Sequence, residues 1–281
     1  MQHQHETRLE TVIAGLRAEG RPYVLATVVR TVAVTAAKAG AKAIILEDGT
    51  IAEGWIGGGC ARGAVLRASR EAFADTRPRL VSVQPEDLLA ELGVEAGAER
   101  EGVRFARNMC PSEGTMDIFV EPVLPMPELY VLGASPVAVA LAGLSRSFGF
   151  RSILFAPAAD RTSGIEADET IDGFLLPAAS SGERHVVIAT QGKGDEAALR
   201  AAIGSPAHYI AFVGSSKKAA ALRGKLLASG VGEADLDRVK APAGLDIGAI
   251  TPEEIALSIL AEIIQLRRSA QRNEAPARKA D

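Results

Sequence analysis

Four short stretches hold the residue types best suited to chemistry. Gly57-Gly58-Gly59-Cys60 sets a thiol directly after three glycines. Glycines permit positive φ and let backbone N–H groups face a ligand closely. A helix-like run from Ala61 to Phe73 follows, so Cys60 stands at a helix start, where the nucleophilic thiolate is favoured. The plainer reading is a buried structural cysteine after a flexible turn. Cys110, in the loop-like Met109-Cys110-Pro111-Ser112-Glu113-Gly114, is the candidate second thiol of the same site.

The other three stretches lie in the second half. Gly133-Ala134-Ser135-Pro136-Val137-Ala138 falls between a predicted strand and a predicted helix. In dinucleotide folds the first glycine makes the turn, a small second residue admits the pyrophosphate, and a small third packs helix on strand. Ser135 and Ala138 are small enough for the last two roles, and Pro136 suits a helix start that attracts phosphate. Without a ligand, this is a plain strand-to-helix turn. Thr190-Gln191-Gly192-Lys193-Gly194-Asp195 follows a later strand, on the edge where such sheets bind ligands. Its lysine and amides suit an anionic or polar group; otherwise it is a glycine-rich loop with a capping Asp. Val213-Gly214-Ser215-Ser216-Lys217-Lys218 repeats the pattern, although its lysines also fit a solvated face.

One expected element is missing. An acidic residue should end the second strand and take a ribose hydroxyl. Phe155 is instead followed by Ala156 and Pro157, and the nearest acid is Asp160. This leaves the nucleotide open and removes one NAD signature, so FAD is favoured over NAD(P). The four histidines form no ligand cluster, and no metal site is expected.

These stretches need elements to hold them. Pro22 to Thr31 reads as a strand, Ala43 to Glu47 and Thr50 to Ile56 as a hairpin about Asp48-Gly49, and Leu80 to Val83 and Met116 to Leu124 as further strands. Glu86 to Arg107 reads as helix plus loop. With a first helix from Glu6 to Gly20, this predicts an α+β domain over residues 1–125. Pro122, Pro125 and Pro127 mark the linker. Beyond it, apolar strands at Leu129 to Leu132, Ser152 to Phe155, His185 to Ala189 and Tyr209 to Val213 alternate with helices. That rhythm predicts α/β architecture: a Rossmann-like parallel sheet over 126–268. The last helix opens with Thr251 as N-cap, Pro252 at its first position and Glu254 completing a capping box. Residues 269–281 read as a disordered tail.

Composition narrows the function classes. The chain has 281 residues, with 47% hydrophobic and 23% charged, which predicts two folded domains rather than disorder. A net charge of -4, with no long basic run outside the extreme C-terminus, argues against nucleic acid as a partner. No apolar run reaches the roughly 20 residues of a membrane span. The polar start lacks a signal-peptide core, so a cytoplasmic location is expected. Two cysteines make no disulfide scaffold. The apolar content is compatible with a homodimer.

From about Pro22 to Glu262 the chain resembles the xanthine dehydrogenase accessory and carbon monoxide dehydrogenase maturation family (XdhC/CoxI-like, CoxF-like branch). The runs that carry the resemblance are ATVVRT, GGGC, VVIATQGKGDEAAL, YIAFVGSSKKAAAL and APAGLDIGAITPEEIALSILAEI. The resemblance implies an N-terminal α+β domain and a C-terminal Rossmann-like domain. It implies a maturation factor that binds the molybdenum cofactor as cargo, assists assembly or sulfuration of a molybdenum hydroxylase, and works with that client enzyme and other maturation proteins. Xanthine or carbon monoxide dehydrogenase would be such a client. The alternative is a dinucleotide-dependent oxidoreductase or flavoprotein acting in that maturation, which leaves turnover open. By resemblance Cys60 matches the family's cysteine, Gly58 and Gly59 its loop, Thr27, Arg30 and Thr31 its front strand, and Asp246 and Thr251 its C-terminal motif. Two stretches depart from it. Val32 to Lys38 replaces a Gly-Ser-x-Pro-Arg run, and Gly133-Ala134-Ser135-Pro136 stands where members often have Gly-x-Gly-His.

Overall fold

The computed structural model describes residues 2–273 apart from 112, 162–163 and 179–181. Pro125 ends one compact unit and Met126 begins the second.

The first unit runs α1 (Gln2–Ala18), β1 (Tyr23–Val32), β2 (Lys42–Ile45), β3 (Ile51–Gly54), α2 (Gly59–Asp75), β4 (Arg79–Gln84), α3 (Glu86–Glu91), β5 (Glu99–Arg100), β6 (Val103–Arg107) and β7 (Thr115–Val123). Its seven strands form one sheet in the order β3-β2-β1-β7-β4-β6-β5. Only the β4–β6 pair is parallel. Side chains alternate across β1, which divides the core. Val24, Ala26 and Val28 pack with Ala64, Val65 and Ala68 of α2. Tyr23 and Leu25 join Leu9, Val12, Ile13 and Leu16 of α1. The stretch from Glu86 to Arg107 is therefore more than helix plus loop: it adds two strands. Val103–Arg107 alternates too weakly to show in the sequence, and its pairing with β4 supplies what its own pattern lacks.

The second unit runs β8 (Glu128–Leu132), α4 (Pro136–Arg146), β9 (Arg151–Phe155), a 3-10 turn (Ala158–Asp160), β10 (Glu169–Ile171), β11 (Arg184–Ile188), α5 (Asp195–Ile203), β12 (Tyr209–Phe212), α6 (Ser216–Ala228), α7 (Glu233–Asp237), β13 (Val239–Lys240) and α8 (Pro252–Asn273). All its pairings are parallel, in the order β10-β9-β8-β11-β12-β13. Numbered within the unit this is 3-2-1-4-5-6, the Rossmann order, whose direction reverses between β8 and β11. Helices cover both faces. Leu141 and Ala142 of α4 and Ile259, Leu260 and Ile263 of α8 bury one face, and Leu199, Leu222 and Leu226 of α5 and α6 bury the other.

The end of α8 differs from expectation. The helix continues to Asn273, so residues 269–273 are helical rather than part of a disordered tail. Ala, Gln and Arg in that stretch propagate a helix already nucleated on the core. The rest of the expected tail, 274–281, lies outside the described residues. At the other end, Thr251 Oγ1 accepts from the Glu254 N–H at 3.3 Å, and Glu254 accepts from the Thr251 and Ile250 N–H groups at 3.0 and 2.7 Å. Thr251→Ala is expected to destabilise the second unit by about 1 kcal/mol, read as a lower denaturant midpoint at unchanged slope. Among the described residues no helix is long and apolar enough to cross a membrane.

Candidate functional site

At the reversal point, the turns after β8 and β11 lie against each other. Gly133 has φ +120°, and a Cβ placed there would fall 2.5 Å from the Ala189 carbonyl oxygen and 2.7 Å from Thr190 Cα. Only glycine fits. Ser135 then caps α4, its Oγ accepting from the Ala138 N–H at 3.2 Å, and Pro136 fills the first helical position. Among the described residues the Val137 amide has no acceptor, which leaves a helix-end donor for an anion.

Gly133, Ala134, Ser135, Pro136, Thr190, Gln191 and Lys193 line one cavity of about 170 Å³. Ala156, Pro157, Asp160 and Phe174 complete it. The volume is below the roughly 300 to 1,000 Å³ of a pocket enclosing a whole ligand, so it suits one end of one. The acid missing from the end of β9 therefore reaches the cavity five residues later, carried by the 3-10 turn. Asp160 Oδ1 pairs with Lys193 Nζ at 3.0 Å, across the cavity's edge. Phe174 forms an apolar wall; its ring fills the space beside Gly194, where a Cβ would come within 2.9 Å. No periodicity marks Phe174, so only tertiary structure reveals it.

The rest of the Thr190–Asp195 loop is held from inside. Thr190 donates to Asp195 Oδ1 through a short hydrogen bond, the Gly192 N–H donates to the same oxygen at 3.0 Å, and Lys218 Nζ sits 2.7 Å from Oδ2. Burial pushes the Asp195 carboxyl up, but these partners outweigh it and hold it below the ordinary carboxylate value. Asp195 thus shapes the loop instead of facing a ligand. Lys218 also lies over the Phe212 ring, against which Gly214 packs. Its charge is engaged rather than merely solvated.

Asp246 is exposed, in the segment between β13 and α8. That segment is pinned by Glu262 of α8, which is only 1% exposed. Glu262 Oε2 accepts from the Gly244 N–H at 2.9 Å and from the Tyr209 hydroxyl at 2.5 Å, and Lys240 pairs with Oε1. Burial raises the Tyr209 phenol far above its ordinary value, so it stays a donor. Gly244, at φ +92°, has no room for a Cβ beside Ser258.

In the first unit, Gly58 is the N-cap of α2 and Gly59 its first residue, so Cys60 does stand in the first turn. The Met109 N–H donates to Cys60 Sγ at 3.3 Å, which brings the Cys110 loop against the glycine loop. Cys60 is partly buried and Cys110 exposed. A β-bulge at Val29 sets Arg30 opposite Asp117, and their side chains meet at 2.5 Å. Ser82 donates to the other Asp117 oxygen at 2.6 Å, and Gln84 donates to Ser82 at 2.8 Å. Thr31 lies opposite Met116 and Thr27 opposite Phe119. Among the described residues no group of His, Cys, Asp or Glu could hold a metal ion.

Six parallel strands in this order, with a glycine-only turn at the reversal, define a Rossmann-type α/β unit, here in one chain with an α+β unit that carries a cysteine at a helix start. Residues 129–263 match the XdhC Rossmann domain, and residues 16–84 match the XdhC and CoxI family. The chain belongs to that family. It is 29% identical over 272 residues to YqeB, an uncharacterized protein of Escherichia coli (strain K12), covering 92% of this chain and 46% of that one. It is 33% identical over 162 residues to a probable xanthine dehydrogenase subunit from Bacillus subtilis (strain 168), covering 55% of this chain and 47% of that one. The chain thus spans about half the length of the curated relatives it matches. A crystal structure of a xanthine dehydrogenase from Bacillus halodurans is similar at TM-score 0.44 and 21% identity, over 95% of this chain and 97% of that one.

Proposed function

We propose that this chain is an accessory factor of a xanthine dehydrogenase-type molybdenum hydroxylase, assisting assembly or sulfuration of its molybdenum centre, with a dinucleotide held by the Rossmann-type unit. The observation that carries the reading is the cavity at the sheet's reversal point, walled by Gly133 and the Thr190 loop, in a chain of the XdhC and CoxI family. The residues present fit an adenine dinucleotide. The bare Gly133 turn and the α4 N-terminus suit its phosphates, and Asp160 and Phe174 suit its nucleoside. When bound, such a group would supply two-electron redox chemistry. The molybdenum cofactor is cargo in this reading, and Cys60 is the thiol assigned to it.

The test is a hydroxylase expressed with and without this chain. Without it, the enzyme is expected to keep its subunits but lose most of its activity, and activity should return on sulfide treatment or on co-expression. Cys60→Ser should lower activation while nucleotide binding, read separately by titration, stays unchanged. Full activity and a complete molybdenum centre in cells lacking the chain would reject the reading.

A further inference from the structure

The geometry points to Asp160 as a specificity residue that restricts the Rossmann-type unit to adenine nucleotides with a free ribose 2′-hydroxyl. Resting on the dinucleotide reading above, this narrows it to FAD or NAD(H) and excludes NADP(H).

The argument starts from where the carboxylate sits. In a Rossmann unit an acid at the end of the second strand accepts from the ribose hydroxyls. Here the strand ends in Phe155-Ala156-Pro157, and Pro157 has no N–H to continue the ladder. The chain turns instead through Ala158–Asp160, with the Asp160 N–H donating to the Pro157 carbonyl at 2.9 Å. That turn returns a carboxylate to the cavity lined by Gly133 and Phe174. Asp160 therefore stands on the second-strand side, where the adenosine end of a dinucleotide belongs.

The ion pair shows which partner is fixed. The Asp160 side chain is 27% exposed and that of Lys193 is 71% exposed. The carboxylate belongs to the cavity wall, whereas the ammonium reaches in from solvent on a flexible stem. An entering ribose would take over the carboxylate oxygens with its two hydroxyls, and Lys193 would be released toward the pyrophosphate. A 2′-phosphate in the same place would bring at least one further negative charge against a partly desolvated carboxylate. Among the described residues Lys193 is then the only cation of the cavity lining available to offset it. No arginine among them lines the cavity, although an arginine is the usual partner of a 2′-phosphate; Arg161, next after Asp160, has its guanidinium held by the Ala156 carbonyl at 3.0 Å and by Asp172 at 3.4 Å.

The experiment is calorimetric titration of the full chain with ADP-ribose, which carries the part common to FAD and NAD, and with its 2′-phosphate. ADP-ribose is expected to bind at least about tenfold tighter, as for a hydroxyl donating to a charged acceptor. Asp160→Asn should weaken ADP-ribose and spare the 2′-phosphate, closing the gap. Lys193→Met should leave the gap in place or widen it. Far-UV spectra check that both variants keep the fold. Equal or tighter binding of the 2′-phosphate, or a gap that survives Asp160→Asn, overturns the assignment while leaving dinucleotide binding intact. If ADP-ribose, NAD and FAD all fail to bind at millimolar concentration, the dinucleotide reading falls, and this assignment falls with it.

Discussion

Gly133→Ala is expected to destabilise the second unit by about 3 kcal/mol or more and, on the dinucleotide reading proposed above, to remove nucleotide binding with it. Two costs combine. A φ of +120° lies outside the regions open to an L-residue, which costs on the order of 1–3 kcal/mol. The new methyl would also lie 2.5 to 2.7 Å from backbone atoms of Ala189 and Thr190, and backbone cannot rotate away as a side chain would. Separating the two turns would pull apart the ends of β8 and β11, held there by the Ala189 N–H donating to the Leu132 carbonyl at 2.8 Å. For a unit of this size the melting temperature should fall by roughly 10 °C. Gly192→Ala is the control. Its φ is +98°, but nothing lies within 4 Å of the added Cβ, so it bears the conformational cost alone. If Gly133→Ala is no worse than Gly192→Ala, close approach of the two turns is not what requires the glycine.

This contrast also shows which parts of the molecule were legible in the sequence. Gly133 sits between an apolar strand and a capped helix, and both signals are local. The same holds for α6, capped by Ser215, and for the capping box of α8, where cap and turn residues agree. The parallel sheet followed from continuous apolar runs, which only a sheet covered on both faces accommodates. Short pieces were not legible. β10, β13 and α7 have three, two and five residues, too few to show a period. Asp160 was visible as the nearest acid, but its place in the cavity depends on a turn that proline imposes. Phe174 carried no signal, because its role comes from a bare glycine twenty residues later. In the first unit, the bulge that aims Arg30 at Asp117 joins residues 87 apart in sequence, and nothing local announces it.

His185 was legible only as the start of a strand, yet it carries the second large expected effect. Its side chain is 2% exposed, packed between the Phe150 and Tyr209 rings at 5.6 and 6.3 Å. Among the described residues neither ring nitrogen has a hydrogen-bond partner. Burial, followed by the positive charge of Arg267 and the nearby His208, holds its pKa down at about 3. Glu183 Oε1 lies 3.5 Å from Nε2, too far for a good hydrogen bond, and its other oxygen, Oε2, accepts from Arg267 at 3.0 Å. The folded-state value lies below the unfolded one, so the unfolded chain binds this proton first. Stability is therefore fully present above about pH 6.5 and is lost as pH falls toward 3. Each tenfold difference in proton affinity is worth about 1.4 kcal/mol, which makes the whole effect on the order of 5 kcal/mol. Between pH 7.5 and 5.0, where most carboxylates remain ionised, about 2 kcal/mol should already be gone. Denaturant midpoints at those two pH values measure it. His185→Leu removes the titrating group and keeps an apolar side chain of similar size, so its midpoint should change far less over that interval. A variant that loses as much stability as the wild type between pH 7.5 and 5.0 would show that the proton is taken elsewhere.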